Sequence, residues 1–498
     1  MAETIPVSEQ NPAACMGGHD CEHHDDHAHG PACGHETVQH GDHGDHVVGG
    51  HLHHPHEGHC DHHGSADPRE QATRGPVSAV EADAGVGATG PVPEDELLGL
   101  LGPLVDLLLT WSYEGTMRCE SIVRGVAARY GHRVEASFLA DVAVVTLGER
   151  KLSFSREPTV PPLNQVSELE ELLAEIDRGG LSPAAAADRL AAIRAVPGQW
   201  SKPWQVVGLM LFSVGFGISV QATWQEVGVS ALTGLLVGLL VVAGIGRKRL
   251  ALVSPFLASV VVSTVVLELF KRGWLDGGPI QLMVPALFFF IPGDAISAAA
   301  LELADNRITA GASRLIYSLV VLVVLAFGAL VATVVVRVPQ SFLFDVTVPG
   351  NLGTLQVWGG WVLFALGVML TFSMSPRDFP WALGLILLTA AAAELGTRVF
   401  GDPVGTFVGA VVMMATALLL GRRPALPPAY VLYLGAFYVL TPGSHGLRGL
   451  ESWIGGNKIQ GITSVAEMVG LLTAIALGML VAAAAIGPAR RARRGCGG

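Results

Sequence analysis

Ten apolar runs follow Pro203, at 204–222, 227–246, 250–270, 280–303, 313–336, 356–375, 380–398, 403–421, 428–449 and 462–487. Each is long enough, with tilt, to cross a hydrocarbon layer roughly 30 Å thick. Lipid offers no water to a backbone N–H or C=O, so each run must satisfy its own hydrogen bonds as a helix. The expected fold is therefore a polytopic α-helical membrane protein of about ten transmembrane helices. The composition agrees, since half of the 498 residues are hydrophobic and only 15% are charged.

Two of these runs cannot be simple helices. The fourth contains Phe288-Phe289-Phe290-Ile291-Pro292-Gly293-Asp294, and the ninth contains Tyr438-Val439-Leu440-Thr441-Pro442-Gly443-Ser444, 150 residues later. An interior proline has no N–H to donate and its ring crowds the carbonyl four residues back. Pro292 is thus expected to free the carbonyl of Phe288, and Pro442 that of Tyr438. Such groups survive at membrane depth only against protein or a wet cavity, so a matching pair of breaks points to one substrate site between two halves.

The matched breaks divide the membrane part into five spans plus five. An odd repeat inserts its second copy upside down, and a weaker match, Ser254-Pro255-Phe256 with Asp402-Pro403-Val404, has nearly the same offset. The expectation is a 5+5 inverted repeat, as in many alternating-access transporters. With the N-terminus inside, thirteen Lys and Arg fall on cytoplasmic segments and six on outer ones. The positive-inside rule then puts both termini in the cytoplasm of a multi-pass protein of the cell (inner) membrane. Met1–Gln10 lacks a basic leader and apolar core, so no signal peptide is expected.

Residues 1–92 hold 16 of the 18 histidines and carry a net charge of −13, so the acidity of the chain belongs to this tail. Few apolar residues mean little core, and the stretch is expected to be disordered. Imidazole, thiolate and carboxylate suit weak zinc, nickel or copper binding, with His19, Cys21, His23, His24, His27, His29, His53, His54 and His56 as candidate ligands. No closed zinc-finger spacing is present, and no cofactor is required. Residues 93–200 read as a small cytoplasmic α+β domain, with helices around Leu97–Leu109 and Glu120–Tyr130, strands at 134–138 and 142–147, and two helices over 166–193. Ser182 is placed to cap a helix beginning at Pro183. The membrane halves then occupy 201–340 and 341–488, followed by a basic C-terminus at 489–498.

The chain resembles the threonine/serine exporter family in its fused form. The resemblance rests on Tyr113-Glu114-Gly115-Thr116-Met117-Arg118-Cys119-Glu120, on Arg129-Tyr130-Gly131, and on Gly180-Leu181-Ser182-Pro183. It continues through Ile291-Pro292-Gly293-Asp294 to Ala304-Asp305-Asn306, Gly311 and Arg314, and in the second half through Pro442–Leu450. It implies export of threonine and serine driven by the proton motive force. Some two-chain relatives are associated with dicarboxylates, which leaves that substrate class open.

An amino acid needs donors for its carboxylate and acceptors for its ammonium. Helices beginning after Gly293 and Gly443 would aim N–H groups and a positive dipole end at the carboxylate. Pro292, Gly293, Asp294, Pro442, Gly443, Ser444 and His445 are therefore the candidate binding or coupling residues. Asp294 would receive the ammonium or the coupling proton, or cap its helix. Asp305, Asn306, Arg314 and Arg448 are candidate gate or structural residues, and Glu394 with Arg398 forms a candidate ion pair.

No nucleophile elbow, phosphate loop or fixed metal-ligand spacing indicates an enzyme, so Glu114, Arg118 and Glu120 are assigned to regulation or assembly. Two alternatives involve metal: a cation exporter fed by the tail, or a membrane-anchored metal sensor. Against the first, no span holds a His-xxx-Asp or paired-carboxylate set, and only His445 lies near one. The expected partners are the amino acid, protons and the bilayer, with a homo-oligomer compatible and nucleic acid excluded for want of a basic, aromatic-laced patch.

Overall fold

The computed structural model describes the backbone of residues 37–65, apart from three two-residue connections, and of residues 92–486 apart from 112–114, 157–158, 222, 347–351, 424–425 and 441. The chain divides into two units, one ending at Ala88 and the other beginning at Thr89.

In the first unit the described residues form an antiparallel sheet of four strands in chain order, β1 (Thr37–His40), β2 (His43–Val48), β3 (His51–His56) and β4 (His59–Ser65). This departs from the disorder expected of the tail. The sequences between the strands, Gly41-Asp42, Gly49-Gly50 and Glu57-Gly58, are of the glycine-containing kind that two-residue hairpin connections favour, a local signal that bulk composition hides. Of the metal-ligand candidates, His53, His54 and His56 lie on β3, while His19, Cys21, His23, His24, His27 and His29 lie outside the described residues.

The second unit opens with α1 (Glu94–Thr110) and α2 (Thr116–Arg129), then the antiparallel strands β5 (Glu135–Phe138), β6 (Val142–Leu147) and β7 (Arg150–Ser155), then α3 (Leu163–Arg178) and α4 (Pro183–Ala195). Alternation on β6 turns Ala143, Val145 and Leu147 inward, onto a core shared with Leu97, Leu101, Val123, Leu172 and Leu190. Strand β7 carries only a short form of this alternation, with Leu152 and Phe154 half-buried. It is an edge strand reading Arg-Lys-Leu-Ser-Phe-Ser, with none of its residues fully buried. Ser182 Oγ accepts from the Ala185 N–H at 3.3 Å, capping α4.

Next come α5 (Lys202–Val220), α6 (Trp224–Gly244), α7 (Lys248–Lys271), α8 (Pro279–Leu287), α9 (Gly293–Ala304) and α10 (Ile308–Val336). They are followed by α11 (Thr354–Thr371), α12 (Phe379–Phe400), α13 (Asp402–Gly421), α14 (Ala429–Val439), α15 (Pro442–Ile454) and α16 (Lys458–Ile486). Among the described residues eight helices are long and apolar enough to cross a membrane: α5, α6, α7, α10, α11, α12, α13 and α16. The runs at 280–303 and 428–449 are instead two short helices each, α8 with α9 and α14 with α15. Large apolar side chains stay exposed along α10, such as Leu319, Val320, Val323 and Phe327, and along α16, such as Ile462, Val469 and Leu477. A helix that shows such a face needs lipid against it. The protein is a multi-pass membrane protein.

The offset of 150 residues extends beyond the breaks. Helices α8 and α14 start 150 residues apart, α9 and α15 end 150 apart, and α10 and α16 are both 29 residues long with starts again 150 apart. The turns ahead of the two long helices hold Asn306 at φ 59° and Gly456 at φ 94°, one left-handed residue each.

Helices α5 and α11 run antiparallel along a seam of glycines. A Cβ on Gly215 would lie 2.3 Å from Phe364 N and 2.6 Å from Gly360 O. A Cβ on Gly367 would lie 2.3 Å from Phe212 N and 2.9 Å from Gly208 O. The contacts are reciprocal, because Gly208, Phe212 and Gly215 stand 152 residues before Gly360, Phe364 and Gly367. Lipid is as apolar as a leucine side chain, so helices in it associate through such close packing of small residues. Gly215→Ala and Gly367→Ala should each destabilise the protein by about 1–3 kcal/mol, and by similar amounts. Gly384→Ala, where a Cβ meets nothing within 4 Å, should leave thermal unfolding in detergent unchanged.

Candidate functional site

Helix α8 ends at Leu287, and the chain turns through Phe288–Ile291 before Pro292 opens α9. The Ile291 N–H donates to the Phe288 carbonyl at 3.2 Å, so that carbonyl is not left free as expected; a tight turn takes it up. The Pro292 carbonyl accepts the first bond of α9, from the Ile296 N–H at 2.9 Å. The N–H groups at the start of α9 therefore head back toward the break. Helix α14 likewise ends at Val439, and α15 begins at Pro442.

The two breaks meet. Phe288 and Tyr438, 150 residues apart in sequence, bring their rings to 5.4 Å between centroids in an edge-on arrangement. Phe288 also stacks on Phe216 at 3.9 Å, Tyr438 meets Phe212 at 5.5 Å, and Phe212 meets Phe364 at 4.8 Å. Beside this cluster lies a cavity of about 430 Å³. Pro292 and Tyr438 form part of its wall, Gln205, Thr371 and Ser373 supply polar groups, and Pro161 and Pro162 of the segment leading into α3 close one side. Thr371 Oγ1 is buried and has no hydrogen-bond partner among the described residues.

Of the predicted binding residues, Gly293 and Asp294 begin α9, and Pro442 and Gly443 begin α15; their side chains are not among those described. Ser444 is buried on α15. His445 faces Glu467 of α16, with Nδ1 3.3 Å from Oε2. Neither Ser444 nor His445 is among the described residues that line the cavity. The Glu394–Arg398 ion pair is present.

The candidate gate residues have definite partners. Arg314, 4% exposed, donates from Nε to Glu302 Oε2 at 3.0 Å, and Glu302 Oε1 accepts the Thr116 N–H at 3.1 Å. Asn306 is the left-handed residue of the α9–α10 turn, and Asp305 beside it is exposed. Arg448 donates from Nε to Asp345 Oδ2 at 2.6 Å, tying α15 to the segment that follows α10.

Sequence reasoning missed Arg307 and Glu302, whose only signal was their place beside the Asp305-Asn306 turn. Arg307 forms a two-pronged bond to Glu120 of α2, with Nη1 to Oε1 at 2.8 Å and Nη2 to Oε2 at 2.7 Å. Glu120 is 2% exposed and also accepts the Phe138 N–H at 3.2 Å and Arg124 Nη2 at 2.6 Å. The segment of the resemblance from Thr116 to Glu120 thus grips the turn between α9 and α10. Glu114 lies outside the described residues. A second attachment sets the Leu163 and Asn164 N–H groups on the carbonyls of Phe372 and Ser373, at 2.8 and 3.1 Å, and Ser167 Oγ on Asp378 Oδ2 at 3.0 Å.

Residues 108–336 match the family model described as "Putative threonine/serine exporter". This segment is a domain of that family. It covers α2, the sheet, α3, α4 and the membrane helices from α5 to α10, with the first break and both partners of the Glu120–Arg307 clamp. The description is that of a transporter and not of an enzyme. Comparison with curated proteins and with solved structures gave no match.

Replacing Arg307 by Ala should remove about 1.5–3 kcal/mol of attachment, the range for hydrogen bonds to charged groups. Arg307→Lys, which cannot offer a planar fork, should lose part of it. Faster proteolysis of the α4–α5 connection would report the loss. Burial pushes the carboxyl of Asp378 up, against the lowering effect of Ser167 and Arg377. A carboxyl raised in the folded state contributes stability in full below its unfolded pKa, and that contribution is lost as pH climbs through the folded value. The protection of α3 against hydrogen exchange, taken relative to the intrinsic exchange rate at each pH, should therefore fall as pH rises through that window, and Asp378→Asn should flatten that fall.

Proposed function

We propose that the protein is a secondary exporter of small hydroxy amino acids, threonine and serine, coupled to the proton motive force. In this reading α5–α10 and α11–α16 are the two copies of an inverted five-span repeat, one upside down to the other in the inner membrane, with both termini cytoplasmic. The observation that carries the reading is the meeting of the two breaks at Phe288 and Tyr438, within a chain whose residues 108–336 match the exporter family. Two helix starts, after Gly293 and at Pro442, then supply N–H dipoles of the sign a carboxylate needs. Asp294 is the proposed acceptor for the ammonium.

The cavity beside Pro292 has a size suited to a small polar solute and is walled on one side by the Pro161-Pro162 segment. Its polar groups, Gln205 and Thr371, are of the type that would read a hydroxyl. The substrate enters here from the cytoplasmic side, and alternating access moves one half against the other about the aromatic cluster. Asp305, Asn306, Arg314 and Arg448 hold the ends of the broken spans in place while the halves move.

Cells lacking the protein, loaded with threonine-containing dipeptides, should retain threonine, and re-expression should restore its efflux. Equal efflux in both cases would remove the amino-acid reading. Pro292→Ala, Gly293→Leu, Pro442→Ala and Gly443→Leu should each impair efflux while the protein still inserts. Normal efflux from all four would make both breaks ordinary kinks.

A further inference from the structure

Glu451 on α15 is 0% exposed, and among the described residues neither of its carboxylate oxygens meets a hydrogen-bond donor. Ser452 beside it is 1% exposed and its Oγ is likewise unpartnered. The acid whose charge reaches Glu451 is Asp345, whose Oδ2 takes Arg448 Nε while its Oδ1 is buried without a partner. Arg448 is thus already engaged, and among the described residues no cation is bonded to Glu451.

Helix α9 also carries an acid, one residue out of that 150-residue register, and it is treated differently. Glu302 stands on α9 149 residues before Glu451, and it is met by Arg314 Nε on one oxygen and the Thr116 N–H on the other. Matching frameworks therefore carry one carboxylate locked by donors and one with none. Burying an ionised carboxylate without compensation costs several kcal/mol, so a structural role alone does not account for keeping Glu451. Ionisable groups at membrane depth are kept chiefly where they carry ions or protons.

We propose that Glu451 is the site at which the protein binds and releases its coupling proton. The step is simple protonation of the carboxylate to the acid, with no other reactant. Other charged groups on the elements packed against α15 are Lys458 and Glu467 of α16, Arg314 near the start of α10, and Asp294 and Glu302 of α9; α8 carries no titratable residue. On α15 itself Arg448 and His445 follow Glu451 at three-residue steps toward the break, and His445 reaches Glu467 at 3.3 Å. This places a chain of titratable groups between the buried acid and Pro442.

The assignment rests on the proton-coupled reading above, and the test separates the two. Infrared titration of the purified full-length protein should show a protonated-carboxyl band that Glu451→Gln removes and Glu451→Asp shifts; a spectrum identical in wild type and Glu451→Gln overturns the proposal whatever is transported. In proteoliposomes with threonine as probe, Glu451→Gln should lose accumulation driven by a pH gradient, and any exchange it still performs should no longer vary with pH. Accumulation equal to wild type overturns the proposal, as does accumulation that follows a sodium gradient in its place. If the wild type moves threonine but ignores the pH gradient, the coupling reading fails, and the infrared band alone then decides Glu451.

Discussion

A helix broken inside a bilayer exposes two ends that lipid cannot satisfy, and the rest of this membrane fold follows from meeting that demand. The two breaks are set against each other, so that each is covered by protein. Phe288 and Tyr438 make the contact, and edge-to-face ring pairs of this kind add about 0.5–1.5 kcal/mol beyond the area they bury. Around them the glycine seam draws α5 and α11 to backbone contact, where Phe212 meets Phe364. The centre of the protein is thus built from residues touching their own counterparts.

Charge does the corresponding work at the edge. Glu120 and Arg307 are 187 residues apart in sequence, and their two-pronged bond fastens the α+β domain to the turn between α9 and α10. Glu302 with Arg314 and Thr116 supports the same turn from within. These carboxylates can be buried because each oxygen finds a donor. Glu451 is the exception that makes the comparison informative.

Much of the fold is legible in the chain because lipid makes the code simple. Runs of about twenty apolar residues, and a Pro-Gly pair inside two of them, give the long helices and the positions of both breaks. Strand β6 and the Ser182 cap are equally readable, since alternation and capping act over a few residues. What is not readable depends on partners far away. Strand β7 has only Leu152 and Phe154 on its inward face, both half-buried, and exists because β6 offers it an edge. The strands of the tail are hidden because a histidine-rich composition suggests no core. In the site, Pro292 and Pro442 announce themselves, whereas Arg307 reads as one more cytoplasmic cation until the fold brings Glu120 to it. His445 looked like a group for the break, but the register of α15 against α16 gives it to Glu467.

The Glu120–Arg307 clamp holds one end of a helix that begins at the first break. If α9 tilts as the protein cycles, the domain attached to its other end must do work or move with it. On the transporter reading proposed above, any molecule that binds the domain in one of its positions would then alter the balance between inward and outward states. Linkage makes this mutual, so a bound solute at the break would change the domain's affinity for that molecule by the same factor. The attachment is in this sense a thermodynamic wire between the α+β domain and the first break.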